Sequence, residues 1–212
     1  MRNRFDRQLE QLHDEMIKMC AMCECVISKA SKCLEKREEK LIIEIFEIDR
    51  QIDEIEREIE NLCMRLLLQQ QPVAGDLRTV SSALKMISDM ERIGDQASDI
   101  AEILKHIETV DVKSKVHIND MAKATIKMVS DSTMSFVNND LDGARQVVGD
   151  DDIVDDLFVK VKQEITELLR TGEQSGEFCL DLLMIAKYFE RIGDHATNIA
   201  EWVIYSIIGK HK

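Results

Sequence analysis

The chain contains very little proline and few aromatic residues. Among its 212 residues there are one proline, eight glycines and 4% aromatic side chains, whereas 33% of the residues are charged. This composition argues against a sheet-rich core and favours long helices. Hydrophobic residues make up 44% of the chain, which is enough to form a core and argues against disorder.

Long apolar runs are also missing. No segment approaches the roughly 18 consecutive apolar residues that a membrane-spanning helix needs. The stretch Met1–Asp6 leads directly into an amphipathic pattern and has no apolar signal core. We therefore expect a cytoplasmic protein that does not insert into membranes.

Positive charge is scarce. Lysine and arginine number 28 against 41 aspartates and glutamates, which gives a net charge of -13. That charge would repel a phosphate backbone, so nucleic acid is a poor partner. The same charge suits a protein that gathers cations or binds basic surfaces of other proteins.

The cysteines do not form a recognisable framework. In a helical cytoplasmic protein we expect them to be reduced and packed as small apolar side chains. The segment Cys20-x-x-Cys23-x-Cys25 weakly resembles a thiolate metal site, but no second cluster of Cys or His completes four ligands. The six are Cys20, Cys23, Cys25, Cys33, Cys63 and Cys179.

The most informative feature present is an internal repeat. The stretch Glu91–Glu102 (ERIGDQASDIAE) returns 99 positions later as Glu190–Glu201 (ERIGDHATNIAE), with nine of the twelve positions identical. The chain is therefore built twice from one unit of about a hundred residues. The repeated positions include a Glu and an Asp four apart and a glycine within a helical pattern. A helix that only packs does not need these residues, so the repeat indicates a site.

Apolar residues at three- and four-residue spacing predict six helices, at about 5–34, 41–66, 74–107, 116–137, 141–169 and 177–208. Residues 36–40 alone would allow the first two helices to continue as one, but the equivalent stretch Asn138–Asp140 has the composition of a turn. Pro72 predicts the end of the second helix. Short turns predict an all-α protein of two tandem, pseudo-symmetric up-down-up three-helix bundles, in residues 1–110 and 111–212.

The acidic residues of the third helix share one face. On a wheel that turns about 100° per residue, Glu91, Asp95, Asp99 and Glu102 fall within about 80° of one another. Glycine inside a helix costs about 1 kcal/mol relative to alanine. Because Gly94 recurs in the second copy, we expect a neighbouring helix to approach closely at this position.

The preceding helix carries its own acidic pair, Asp49-x-x-x-Asp53, which the second half matches with Asp151-x-x-x-Asp155. Since the two helices of each half run antiparallel, we expect the pairs to meet across their interface. Carboxylates this close repel one another unless they are protonated or bound by a cation. Oxygen ligands suit hard ions, namely magnesium, manganese, calcium or ferric iron.

The alternative interpretation is that these acids only solvate the surface. For any single acid that interpretation is the better one. For i, i+4 pairs on two helices, duplicated in both halves beside a duplicated glycine, we favour metal binding. His195 replaces Gln96 of the first copy and is not counted as a ligand, since a lone histidine is more often a surface or packing residue.

These motifs resemble those of the PhoU family, the regulatory proteins of bacterial phosphate transport. The resemblance covers nearly the whole chain and is strongest in Gln71–Arg78 (QPVAGDLR), Glu91–Asp95 and Glu190–Glu201. One departure is Asp99, where the second copy has Asn198 and the family usually has asparagine. The first site is therefore expected to hold more positive charge, or to hold it more tightly.

The resemblance implies a metal-binding regulatory adaptor and not an enzyme. It implies multinuclear clusters of iron, with manganese, magnesium or zinc as alternatives, and often a homodimer. It also implies negative regulation of phosphate uptake and of the phosphate-starvation response, through the transporter's ATP-binding subunit and a sensor histidine kinase. The metal-binding signature carries over to Asp49, Asp53, Glu91 and Asp95, and to Asp151, Asp155, Glu190 and Asp194; Asp99, Glu102 and Glu201 are further candidate ligands.

Two other functions compete with this one. A di-metal oxidase would normally carry Glu-x-x-His on two facing helices, but only Glu10–His13 has that spacing. No Ser/His/Asp set or glycine-rich phosphate loop is recognisable either. A purely structural helical scaffold, in which the acids only confer solubility, is the third hypothesis.

Overall fold

A computed structural model describes residues 2–69, 74–107 and 116–210 of the chain. Within these residues the protein is helical, with no strand. Its helices are α1 (Arg2–Glu35), α2 (Glu39–Gln69), α3 (Ala74–Leu104), α4 (Ile118–Asn138), α5 (Leu141–Thr171) and α6 (Gly176–Ile208). The predicted all-α class and the six predicted helices are confirmed.

The turns between helices form where the sequence predicts them. Asn139 adopts a left-handed conformation at the end of α4, with φ 52°. Asp140 then caps α5, because its side chain accepts hydrogen bonds from the backbone N–H groups of Asp142 and Gly143 at 3.1 and 3.0 Å. In the first half the break falls at residues 36–38, so the long single helix that residues 36–40 would allow does not form.

The predicted helices are too long at two ends and one to three residues too short at several others. The α3 helix ends at Leu104 and not at Ile107, while α4 begins at Ile118 and not at Val116. Arg37 accounts for the first difference, since its guanidinium donates to the carbonyl oxygens of Lys105 and Ile107 at 2.5 and 3.1 Å. Pro72 and the predicted boundary between residues 110 and 111 lie outside the described residues.

Four helices form the centre of the molecule. Helices α1, α3, α6 and α4 pack in a ring in that order, with α2 against α1 and α3, and α5 against α4 and α6. The start of α3 meets the end of α6, because Arg78 Nε donates to the carbonyl oxygen of Ser206 at 3.4 Å. Thus α3 and α6 are antiparallel. The predicted pair of three-helix bundles is confirmed, and the two lie side by side.

The core is continuous across both bundles. Large apolar side chains from all six helices are fully buried, among them Leu12, Ile52, Met86, Phe136 and Phe189. Burial of one such side chain contributes about 1.5–3 kcal/mol. Because the two bundles share one core, the helices that carry the acidic faces are packed rigidly. Within the described ranges, no helix combines the length and apolar character needed to cross a membrane.

Candidate metal-binding faces

The first acidic face, formed by Asp49 and Asp53 of α2 with Glu91 and Asp95 of α3, is organised around Gly94. A Cβ atom at Gly94 would lie 2.8 Å from Oδ1 of Asp49 and 3.1 Å from Cδ1 of Ile52. The glycine therefore lets α2 approach α3, and the predicted close contact is confirmed. It also leaves space for the Asp49 carboxylate. Gly94, which is unfavourable in a helix relative to alanine, therefore contributes directly to the geometry of the acidic face.

The carboxylates of the first face influence one another. Burial raises the pKa of Asp49, as do Asp95 and Asp53, while the Ser98 hydroxyl opposes the rise. Burial also raises the pKa values of Glu91 and Asp95, and each is raised further by its acidic neighbours. All four members of this face are half-buried. The structure thus brings the four predicted side chains close enough together for their negative charges to repel one another.

The second acidic face consists of Asp151 and Asp155 of α5 with Glu190 and Asp194 of α6. Burial raises the pKa of Asp151, as do Asp155 and Glu190, while the Thr197 hydroxyl opposes the rise. Burial, then Glu190, Asp151 and Asp155, raise the pKa of Asp194. The face therefore repeats the first in its chemistry and in its position between two helices.

Gly193 plays the part of Gly94 in the second half, but with a different neighbour. A Cβ atom at Gly193 would lie 3.2 Å from Cγ1 of Val154 and would not meet a carboxylate. The close approach of α5 to α6 is thereby confirmed. Only in the first half does the glycine make room for an acid.

A lysine further distinguishes the second face. Lys187 Nζ forms an ion pair with Oε2 of Glu190, and its charge opposes the rise in the pKa of Asp194. The equivalent position of the first half, 99 residues earlier, is Ser88, which donates instead to Glu56 at 3.3 Å. The second face therefore has a cation from its own helix beside Glu190. In the first face, Arg57 lies 4.0 Å from Asp53, and Arg92 opposes the rise in the pKa values of Glu91 and Asp95.

The side chains of the first face fit a cation in their chemistry. Oδ1 of Asp49 is buried and has no hydrogen-bond partner among the described residues. Such an atom normally has a partner, and a hard cation would supply one. Among the described residues, however, no three His, Cys, Asp or Glu side chains are already arranged around one metal position. Ion binding would thus require the carboxylates to turn toward one another.

Three further predicted ligands are not among the four carboxylates that define each acidic face. Glu102 is exposed at the end of α3 and pairs with Lys105 at 2.5 Å, which lowers its pKa. Glu201 is half-buried in α6, and the carboxylates that raise the pKa values of the second face do not include it. Asp99 raises the pKa values of Asp49 and Asp95, so it belongs to the edge of the first face.

Contacts between the halves explain the Asp99/Asn198 difference. Burial, together with a hydrogen bond to Asp99, raises the pKa of Tyr188. In the equivalent contact, Asn198 Nδ2 donates to Oδ1 of Asp89 at 3.1 Å. Tyr188 and Asp89 occupy equivalent positions, 99 residues apart. In one contact α6 supplies the donor through Tyr188 and α3 the acceptor through Asp99. In the other, α6 again supplies the donor, Asn198, and α3 the acceptor. Each pair is therefore complementary, although the equivalent positions of the two halves carry different residue types.

Sequence reasoning missed several residues near the faces. Ser98 and Thr197 are equivalent positions that approach Asp49 and Asp151. The Ser/Thr pair inside the twelve-residue repeat was a usable signal, because a small hydroxyl was retained there. Tyr188 and Asp89 carried no such signal, since their residue types differ between the halves.

The histidine and cysteine residues take packing roles. His195 binds Asp89 and is not part of the quartets, while the His13 ring packs edge-on to Phe136, with centroids 5.5 Å apart. All six cysteines are free, and five are buried. Burial raises the pKa of Cys20 to about 12 and also raises that of Cys23. Their thiols are thus held protonated, unlike a thiolate metal site.

Fold and faces together define a class of protein: a duplicated six-helix bundle with one face of paired carboxylates in each half. The family model described as "PhoU domain" matches the chain twice, at residues 16–104 and 118–203. The chain belongs to the PhoU family. The family resemblance of its motifs is thereby confirmed.

Similar proteins extend over nearly the whole chain. A "Phosphate-specific transport system accessory protein PhoU homolog" of Clostridium acetobutylicum is 36% identical over 97% of this chain and 95% of its own length. PhoU homolog 1 of Thermotoga maritima, with the same accessory-protein description, is 34% identical over 98% of this chain and 90% of its own.

Two solved structures have the same fold. The crystal structure of PhoU from Pseudomonas aeruginosa is 30% identical, with a TM-score of 0.86 over 97% of this chain and all of that one. The phosphate transport system regulatory protein PhoU from Streptococcus pneumoniae is 25% identical, with a TM-score of 0.89 over 98% of this chain and 99% of that one.

Proposed function

We propose that this protein is a regulatory accessory protein of phosphate transport. It acts as a negative regulator of phosphate uptake and of the phosphate-starvation response, and it does so in the cytoplasm as a homodimer. The duplicated acidic faces, in a chain that belongs to the PhoU family, carry this proposal. The names of the relatives support the link to a phosphate transport system.

The acidic faces are proposed to be cation sites. Their oxygen donors suit iron, manganese, magnesium or zinc, and carboxylates can bridge several ions in one cluster. The orphaned Oδ1 of Asp49 supports this for the first face. The first face is the stronger site in this account, because Asp99 adds a carboxylate at its edge, whereas Asn198 stands at the equivalent position of the second.

Regulation would proceed through binding and not through turnover. The transporter's ATP-binding subunit and a sensor histidine kinase are the proposed partners. Basic surfaces on such partners would be attracted to the acidic faces, either directly or through bound cations with open coordination positions. Because charge attraction between exposed groups is screened by salt, binding should weaken as ionic strength rises.

A deletion strain tests the regulatory proposal. In the organism that encodes this chain, deletion should leave phosphate-starvation genes expressed in phosphate-rich medium, and the intact gene should restore repression. Normal repression in the deletion strain would contradict the proposal. The variant Glu190→Ala/Asp194→Ala then shows whether the second face is needed.

Purified partners test the mechanism of contact. The chain should bind the ATP-binding subunit or the kinase at low salt and more weakly at high salt. A variant with Asn at Asp49 and Asp95 should show a smaller salt dependence, because two of the interacting charges are lost. Asp156→Asn, at an exposed position of α5 outside both faces, is the matched control.

A further inference from the structure

A recess at the α1–α2 turn is unlike the rest of this acidic protein. It has a volume of about 660 Å³ and is lined by Arg37, Glu39, Ile42, Ile43, Phe46 and Lys105. We call it the basic recess. It lies between the start of α2 and the end of α3, and none of its lining residues belongs to the acidic quartets.

The floor of the basic recess is apolar and accessible. Ile43 is 52% exposed. Phe46 is half-buried, and Lys105 Nζ lies 4.3 Å from the centre of its ring. This arrangement keeps a cation above an aromatic face, as in a cation–π contact. An apolar group entering here would contact Ile43 and the Phe46 ring together.

Arg37 provides the charge. Two of its N–H groups donate to the carbonyl oxygens of Lys105 and Ile107, and a guanidinium has five such donors. Within the described residues its partners are carbonyls and not carboxylates, whereas neighbouring Lys36 pairs with Glu38 at 2.7 Å. Arg37 therefore has no ion pair with a carboxylate among the described residues and retains donors for one. Lys105, in contrast, is already paired with Glu102 at 2.5 Å.

The residues that line the basic recess are not repeated in the second half. At the equivalent positions of the second half, 102 residues later, Arg145 replaces Ile43 and Val148 replaces Phe46. Ile204 stands 99 residues after Lys105. The apolar floor and the basic rim have thus been replaced together. The second half therefore forms the same fold without this combination of an apolar floor and basic side chains.

We propose that the basic recess docks an acidic–apolar peptide segment of a partner protein. An apolar side chain of that segment would cover Ile43 and Phe46, and a carboxylate would bind the Arg37 guanidinium. Arginine and aromatic residues are enriched where binding energy concentrates at protein interfaces. In a chain with a net charge of -13, the Arg37 guanidinium provides a local attraction for a carboxylate at this position. Glu39 would restrict the carboxylate to the Arg37 side.

This inference does not depend on the acidic faces or on bound cations. It predicts a second kind of partner contact, with a charge preference opposite to that of the faces. A partner could therefore be held at the basic recess and at an acidic face by different segments. Failure of one contact would leave the other measurable.

Selection from a phage-displayed library of random peptides tests the proposal. Against the full-length chain, we expect enrichment of peptides that combine Asp or Glu with large apolar residues. These peptides should bind at least roughly tenfold more weakly to Ile43→Ser/Phe46→Ser, which removes the apolar floor without adding charge. Arg37→Gln should weaken the same peptides, and Arg145→Ala, at the position of α5 equivalent to Ile43, should not.

Circular dichroism melting would verify that each variant is folded, and Ile43→Ser/Phe46→Ser leaves the Arg37 hydrogen bonds intact. Enrichment of basic peptides, or binding unaffected by the recess variants, would overturn the proposal. So would an absence of enriched peptides together with self-association that these variants abolish, because the recess would then bind a second copy of the chain.

Discussion

The Nδ1 atom of His195 in α6 lies 2.9 Å from Oδ1 of Asp89 in α3. The same oxygen accepts a hydrogen bond from Asn198, so one carboxylate holds two polar side chains of the other half. Both members of the His195–Asp89 pair are largely buried, with side-chain exposures of 14% and 15%. A contact this well shielded contributes to the association of the two halves.

Replacing Asp89 should therefore weaken the junction between the halves. We expect Asp89→Ala to lower the free energy of unfolding by about 1–3 kcal/mol, because His195 and Asn198 lose their shared acceptor. Urea denaturation would measure this change. Asp156→Ala is the control, since its side chain is exposed on α5, and it should change stability by less than about 0.5 kcal/mol. Equal stability of the two variants would contradict the assigned contact.

Gly94→Ala should destabilise the protein although alanine favours helix. The new methyl group would meet Oδ1 of Asp49 at 2.8 Å, and we expect a net loss of about 1–3 kcal/mol. Gly149→Ala is the matched control, because its Cβ would have nothing within 4 Å in the middle of α5. That substitution should stabilise the chain by about 0.5–1 kcal/mol. If Gly94→Ala were equally stabilising, the close approach of α2 would be refuted.

The metal-free protein should become more stable as the pH falls from neutral to about pH 5. Five carboxyls of the two faces have pKa values raised in the folded state, so folded protein binds protons that the unfolded chain releases. Their favourable contribution is complete below the unfolded pKa and is lost as the pH rises through the folded pKa. Thermal melting in chelator at several pH values would measure it.

The variant Asp49→Asn/Asp95→Asn separates this effect from other titrations. It removes two of the raised carboxyls and should flatten the rise in melting temperature. The acids whose pKa values are lowered, such as Glu44 beside Lys29, act in the opposite direction and remain present in both proteins. If the melting temperature of the variant changed with pH as that of the unchanged protein does, the carboxyls of the first face would not be the cause of the pH dependence.

Much of the fold could be predicted from the sequence because its signals are local. Apolar spacing located the helices, and the turn composition of Asn138–Asp140 correctly separated α4 from α5. The end of α3 was predicted three residues too late, because the Arg37 hydrogen bonds come from a distant turn. The meeting of Asp49 with Asp95 was also predictable, since antiparallel neighbours with matching acidic pairs have few other registers.

The contacts between the halves could not be predicted in the same way. Asp89 and Tyr188 occupy equivalent positions but differ in residue type, and their partners Asn198 and Asp99 differ in the complementary sense. A comparison of the two copies of the repeat records only that these positions differ. Only the antiparallel packing of α3 on α6 shows that each difference compensates for the other. Glu102 was grouped with the acids by its helical face, but Lys105 holds it apart.

Metal content per chain is the most direct test of the central claim that the two faces are separate cation sites. Protein stripped with chelator, reloaded with iron or manganese and desalted should be compared by elemental analysis in three forms: unchanged, Glu91→Ala/Asp95→Ala and Glu190→Ala/Asp194→Ala. We predict that each double variant loses the metal of its own half and retains that of the other. Metal content that is the same in all three proteins would contradict the account.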